Sequence, residues 1–90
     1  MAKTELLHVA FGNVLAVNRV VAIVNAGSAP VKRMIREART NKLSVDMTNG
    51  RKTKAVVVLD SGHIVLSPVT PETLANRLSA FRSSGASVEE

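Results

Sequence analysis

Met47-Thr48-Asn49-Gly50-Arg51-Lys52-Thr53-Lys54 is the stretch on which the reading of this chain turns. Alternating apolar residues, Leu43, Val45 and Met47, lead into it, and the apolar run Ala55-Val56-Val57-Val58-Leu59 leaves it. Asn-Gly between two such runs is a strong hairpin signal, because both residues tolerate positive φ. The apolar match then sets the register. A strict two-residue turn places Val45 opposite Lys54 and Met47 opposite Lys52, with lysines on the core face. A slip of one residue pairs Leu43 with Val57, Val45 with Ala55 and Met47 with Thr53, and sets Asp46 across from Lys54 as a favourable pair. The sequence therefore predicts a loop spanning Asn49 to Arg51, or Thr48 to Lys52 if the tip is open. Arg51 is lifted out of the ladder at its tip.

Working outward, Asp60-Ser61-Gly62-His63 turns the chain into Ile64–Leu66 and completes a three-strand meander. Upstream, Ser28 has the chemistry of an N-cap, and Pro30 fits the first turn, where a missing N–H costs nothing. Val31, Met34, Ile35 and Ala38 recur at helical spacing as a buried stripe. Lys32, Arg36 and Arg39 share another face, Arg33 can pair with Glu37, and the helix should end near Asn41-Lys42. Leu6–Phe11 reads as a strand that turns at Gly12-Asn13. Val14–Val24 is almost continuously apolar and β-branched, the pattern of a strand covered on both faces. Asn18-Arg19 interrupts it, so the strand is either kinked there with Arg19 reaching solvent, or Arg19 lies at an interface. A second helix starts with Thr70 as cap and Pro71 in its first turn. Leu74, Leu78 and Phe81 form its apolar side, and Arg77 and Arg82 complement its dipole toward the C-terminal end. The expected fold is α+β: a small antiparallel sheet, a meander, with two helices. Residues 1–82 are expected to form one domain, followed by a flexible tail over 83–90.

The chain has 90 residues, a formal charge of +5 and a pI near 10.5. Its cations cluster at Arg19, at Lys32-Arg33-Arg36-Arg39, and at Arg51-Lys52-Lys54, an electrostatic footprint of nucleic-acid binding. With two phenylalanines and neither tyrosine nor tryptophan, it lacks the stacking platforms of single-strand and RNA binders, so a duplex read through phosphates and groove-facing arginines is the better fit. There is no cysteine, hence no disulfide framework and no thiolate site. His8 and His63 have no evident metal-binding partners. No phosphate-cradling loop, nucleophile elbow or Cys/His arrangement is present, so neither an enzyme nor a cofactor is expected. The first residues, Met1-Ala2-Lys3-Thr4-Glu5, lead into a short apolar run containing a histidine. That is neither a signal peptide nor a membrane span, and a cytoplasmic protein is expected.

Six segments occur in order: Phe11-Gly12-Asn13, Asn18-Arg19-Val20-Val21, Ser28-Ala29-Pro30-Val31-Lys32-Arg33-Met34-Ile35, Glu37-Ala38-Arg39, Gly50-Arg51-Lys52-Thr53-Lys54-Ala55-Val56-Val57 and Pro71-Glu72-Thr73. In this order and spacing the chain, from about Leu7 to Leu78, resembles the RemA family of bacterial extracellular matrix regulatory proteins. The resemblance implies a LytTR-like fold and a closed, octameric ring that binds double-stranded DNA at promoters, activates biofilm-matrix and related genes, and associates with the nucleoid rather than a membrane. It places DNA contact on Arg19, with Asn18 beside it in the motif, and on Arg51 and Lys52, with Lys54 supporting the loop. Lys52 stands where the family has a second arginine; it keeps the phosphate charge and loses the bidentate fork. Pro30 falls on a family proline and is assigned to structure or assembly. The alternative to a DNA regulator is a ring-forming interaction module whose basic surface meets an acidic protein.

Overall fold

The computed structural model describes residues 5–85. Strands β1 (Leu6–Ala10) and β2 (Asn13–Ala16) form a hairpin, and a single 3-10 turn (Val17–Arg19) leads to β3 (Val20–Asn25). Then come helix α1 (Ala29–Thr40), β4 (Ser44–Asp46), β5 (Ala55–Leu59), β6 (Ile64–Ser67) and helix α2 (Pro71–Gly85). The α+β class and both helices agree with the expectation. The apolar run Val14–Val24 is broken at Asn18-Arg19 into two strands belonging to different sheets, which is the kinked alternative.

Strands β3, β5, β6 and β4 lie side by side in that order. The hairpin expected from Leu43–Met47 to Ala55–Leu59 does not form. Instead β4 runs parallel to β6, with Val45 beside Val65, while β5 is antiparallel to β3 on one side and β6 on the other. None of the pairings Leu43–Val57, Val45–Ala55, Met47–Thr53 and Asp46–Lys54 exists, and the meander is limited to β5 and β6. The reason is burial. Ala55, Val56 and Val57 of β5 are fully buried, and Val20–Val24 brings more apolar surface to its flank than Ser-Val-Asp does. Ser44–Asp46 is left at the sheet edge, where Val45 is 39% exposed.

The sheet is covered on both faces. On one, Ala55, Val57 and Val65 pack with Leu7, Val9 and Leu15 of the hairpin and Leu74 of α2. On the other, Val56, Ile64 and Leu66 pack with Ala26, Ala38 and the half-buried Val31, Met34 and Ile35 of α1. This explains why β5 and β6 read as continuous apolar runs: alternate residues face different layers. Within the first of these layers, α2 is tied to the hairpin by Arg77, whose Nη1 donates to the carbonyls of His8 (2.8 Å) and Val9 (3.0 Å). Arg77 therefore holds β1 from the middle of α2 rather than serving the helix end.

Both helix starts follow the sequence. The Ser28 hydroxyl accepts from the Val31 N–H at 3.3 Å with Pro30 in the first turn, and the Thr70 hydroxyl accepts from the Thr73 N–H at 3.3 Å. The expected Arg33–Glu37 pair is not formed, the Arg19–Asp60 ion pair being the single one among the described residues. The backbone of Phe81 through Gly85 continues α2, so Ser83, Ser84 and Gly85 are helical. The side chains of Phe81 and Arg82, and the rest of the expected tail, lie outside the described residues.

Candidate nucleic-acid interface

Arg19 closes the 3-10 turn at the start of β3, with its side chain 59% exposed. Its Nε lies 3.0 Å from Asp60 Oδ1, and the Asp60 N–H donates to the Arg19 carbonyl at 2.9 Å. The side-chain pair is exposed and adds little to stability, but two contacts to one residue restrict where the guanidinium can point. Asp60 occupies the Nε edge, which leaves the two-pronged end of the guanidinium free to engage an acceptor pair. Asn18 is exposed beside it.

The loop between β4 and β5 is built by its own polar residues. Asp46 Oδ1 accepts from the Thr48 N–H (2.8 Å) and hydroxyl (2.5 Å), ending β4. These two hydrogen bonds, first the hydroxyl and then the N–H, hold the Asp46 carboxyl below its ordinary pKa, and nearby Arg39 adds to the effect. Asn49 and Gly50 adopt φ of 55° and 84°, and the Arg51 N–H closes the turn on the Thr48 carbonyl at 3.0 Å. The turn itself is therefore the one the Asn-Gly pair specifies. It connects two strands that are not neighbours, because β6 lies between them. The far end of the loop is tied where the Lys54 N–H donates to Ser67 (2.8 Å) and the Lys54 carbonyl accepts from Ala26 (3.3 Å).

The cations of this loop diverge. The Arg51 guanidinium stands 5.4 Å from the centroid of the Phe11 ring, on the turn between β1 and β2. Lys52 and Lys54 line a cleft of about 370 Å³ that also includes Lys32 on α1 and Glu72 on α2. Lys54 makes no pair with Asp46, whose carboxylate is taken up by Thr48. Pro30 is exposed at the start of α1, which fits its helix-starting role.

Arg19 and the loop are not brought together within one chain. Val20 pairs with Leu59 and Asn25 with Ala55, so Arg19 lies at one end of the β3–β5 ladder and Lys54 at the other. At about 3.3 Å per residue, the six steps from Lys54 to Asp60 span roughly 20 Å. Two contributors were not visible as such in the sequence. Asp60 reads as a turn residue and Phe11 as a strand end, and both acquire their roles from partners distant in sequence. Among the described residues no cluster of His, Cys, Asp or Glu is arranged to hold a metal, and no helix is long and apolar enough to cross a membrane.

Fold and site define a small α+β domain that presents exposed cations at both ends of a mixed sheet. The family model described as RemA-like, extracellular matrix regulatory protein A-like, matches residues 6–78, and the chain belongs to this family of regulatory proteins. It is 53% identical over 75 residues to extracellular matrix regulatory protein A of Bacillus subtilis, covering 83% of this chain and 84% of that one. It is also 56% identical over 85 residues to a protein of Dehalococcoides mccartyi whose name says only that it is regulatory, covering 94% and 88%. A similarly named protein of Symbiobacterium thermophilum is 51% identical over 90 residues, covering 100% and 95%.

Proposed function

We propose that this protein is a duplex-DNA-binding transcriptional regulator, an activator of biofilm-matrix and related genes, acting in the cytoplasm on the nucleoid as a ring-shaped homo-oligomer. Arg19, with Asn18, forms one DNA contact. Arg51 and Lys52, with Lys54, form the other. The observation that carries this reading is the pair of exposed arginines, each steadied by one partner, Asp60 or Phe11, and set at opposite ends of one ladder. The two ends of that ladder, Asp60 beside Arg19 and Lys54 at the base of the loop, are roughly 20 Å apart along the strands, more than the width of the major groove, about 12 Å, so the two contacts of one subunit meet different parts of a duplex. Repetition around a ring multiplies such contacts through effective concentration. Family membership supports a regulatory role, and the name of the Bacillus subtilis relative supports the matrix genes as targets.

Self-association has its own support. The sheet has two outer strands, β3 and β4, and Val21 on β3 is 65% exposed while Leu6 and Phe11 are half-exposed. Unlike edges on one subunit suit head-to-tail contacts, which close into rings where the rotation between neighbours closes.

The test is gel-shift titration of promoter duplexes with Arg19→Ala and Arg51→Ala, with mass photometry to follow the oligomer. Each variant should lose about 5- to 160-fold in affinity, the 1–3 kcal/mol of a good arginine contact, while keeping the wild-type oligomer. Wild-type affinity in both variants overturns the reading. A protein that takes up no duplex even at low salt points instead to an acidic protein partner.

A further inference from the structure

We infer that the basic stripe of α1, Lys32, Arg36 and Arg39, joins Lys52 and Lys54 as a second, sequence-neutral track for the phosphate backbone of duplex DNA. This rests on the DNA-binding reading above and extends it from the loop lysines onto the exposed basic face of α1. At 100° per residue the three α1 cations fall within an arc of about 60°, and at 1.5 Å per residue they span about 10 Å. Phosphates of one strand advance about 3.4 Å each along the duplex axis, so the stripe matches the rise of some three nucleotides.

The fold turns this stripe into a surface. Arg36 and Arg39 line a shallow cleft of about 300 Å³ with Lys32, Ala26 and Thr53. Lys32, Ala26 and Thr53 also line the adjoining cleft that holds Lys52 and Lys54. The two clefts therefore adjoin, sharing Lys32 and the smaller Ala26 and Thr53, and small residues allow a polymer backbone to approach closely. Glu72 is the one acid among the lining residues of both. Asp46 is near enough to Arg39 to feel its charge, but its Oδ1 is already committed to Thr48. The large apolar side chains that hold a peptide, and the aromatic rings that stack single-stranded bases, are missing from the lining apart from Ile35 and Pro71. A regular row of cations with neither feature fits a duplex backbone.

The experiment compares the full chain with Lys32→Ala/Arg36→Ala/Arg39→Ala and with Arg36→Gln, by fluorescence anisotropy on a promoter duplex and on a scrambled duplex from low to high salt. Alanine and glutamine are both good helix formers, so α1 is retained, which thermal melting verifies. The expected result is a salt slope lowered by two to three for the triple variant and by about one for Arg36→Gln, since each lost phosphate contact removes about 0.9. The affinity loss should be equal on both duplexes. An unchanged slope in variants of a wild-type protein that does bind DNA overturns the track alone. Loss of binding together with a changed oligomer also overturns it and assigns the stripe to contact between subunits. A wild-type protein that binds neither duplex overturns the DNA-binding reading itself.

Discussion

At Phe11-Gly12 and at Asn49-Gly50 the chain turns through nearly the same backbone, with φ of 54° and 80° at the first and 55° and 84° at the second. The first closes a hairpin in which Ala10 pairs with Asn13, although phenylalanine is a costly residue for the left-handed region. The second has the residues best suited to such a turn and closes no ladder. The flanks make the difference. Leu7, Val9 and Leu15 around the first turn are all buried in one core. The strand entering the second contains one apolar residue, Val45, and both edges of β5 are already taken by β3 and β6. Fully burying a valine or leucine is worth about 1.5–3 kcal/mol, against about 0.2–1 kcal/mol for a cross-strand pair such as Asp46–Lys54. Turn residues permit a reversal; burial chooses what the returning strand lies against. The proposed function depends on this outcome, because a loop released from the ladder lets Arg51 reach Phe11 while Lys52 and Lys54 line a cleft with Lys32 of α1.

Gly12→Val and Gly50→Val separate the two turns most strongly. Neither glycine has a heavy atom within 4 Å of where a Cβ would stand, so the cost is backbone strain. In the hairpin that carries part of the core it should amount to about 2 kcal/mol, lowering the melting temperature by about 10 °C. In the loop, which can relax locally, it should stay below about 1 kcal/mol. Equal melting shifts would show that the loop is as integral to the fold as the hairpin.

Phe11→Asn addresses the contact between the turns. Asparagine accepts positive φ, and Phe11 is 50% exposed, so thermal stability should be unchanged or slightly higher. DNA affinity should nevertheless fall about two- to fivefold, the worth of an exposed cation–π contact of about 0.5–1 kcal/mol. Unaltered affinity would mean that Arg51 needs no platform.

The smallest effect is at Asp46. Its pKa is lowered in the folded state, so its contribution to stability is present above the ordinary value of 3.8 and is lost as pH falls below that through the lowered one. Asp46→Asn should melt slightly below wild type at neutral pH, by less than about 1 kcal/mol for so exposed a group. That gap should close as pH falls below 3.8 through the lowered folded-state value, where wild type becomes protonated as well. A gap independent of pH would show that the Asp46 charge plays no part in anchoring the loop.

Much of the local structure was legible because its causes are local. Ser28 with Pro30, Thr70 with Pro71, the Asn49-Gly50 turn, the β5–β6 hairpin and the break at Asn18-Arg19 each depend on residues a few positions apart. The site was legible as a set of cations but not as an arrangement. Arg19 and Arg51 stand out as charges next to apolar runs, yet no spacing indicates that Arg19 and the loop carrying Arg51 lie beyond opposite ends of the β3–β5 ladder, or that their partners are Asp60 and Phe11. Lys32, Arg36 and Arg39 read as one helix face, with nothing to show that Lys52 and Lys54 adjoin it.

The sequence by itself determined which segments turn, start helices, kink and carry charge, since those follow from side-chain hydrogen bonds and allowed φ within a few residues. Only the tertiary structure decided which strands lie beside β5 and where the Asn49-Gly50 loop therefore points. Strands distant in sequence compete for the same buried edge, and the apolar surface each can bury settles that competition.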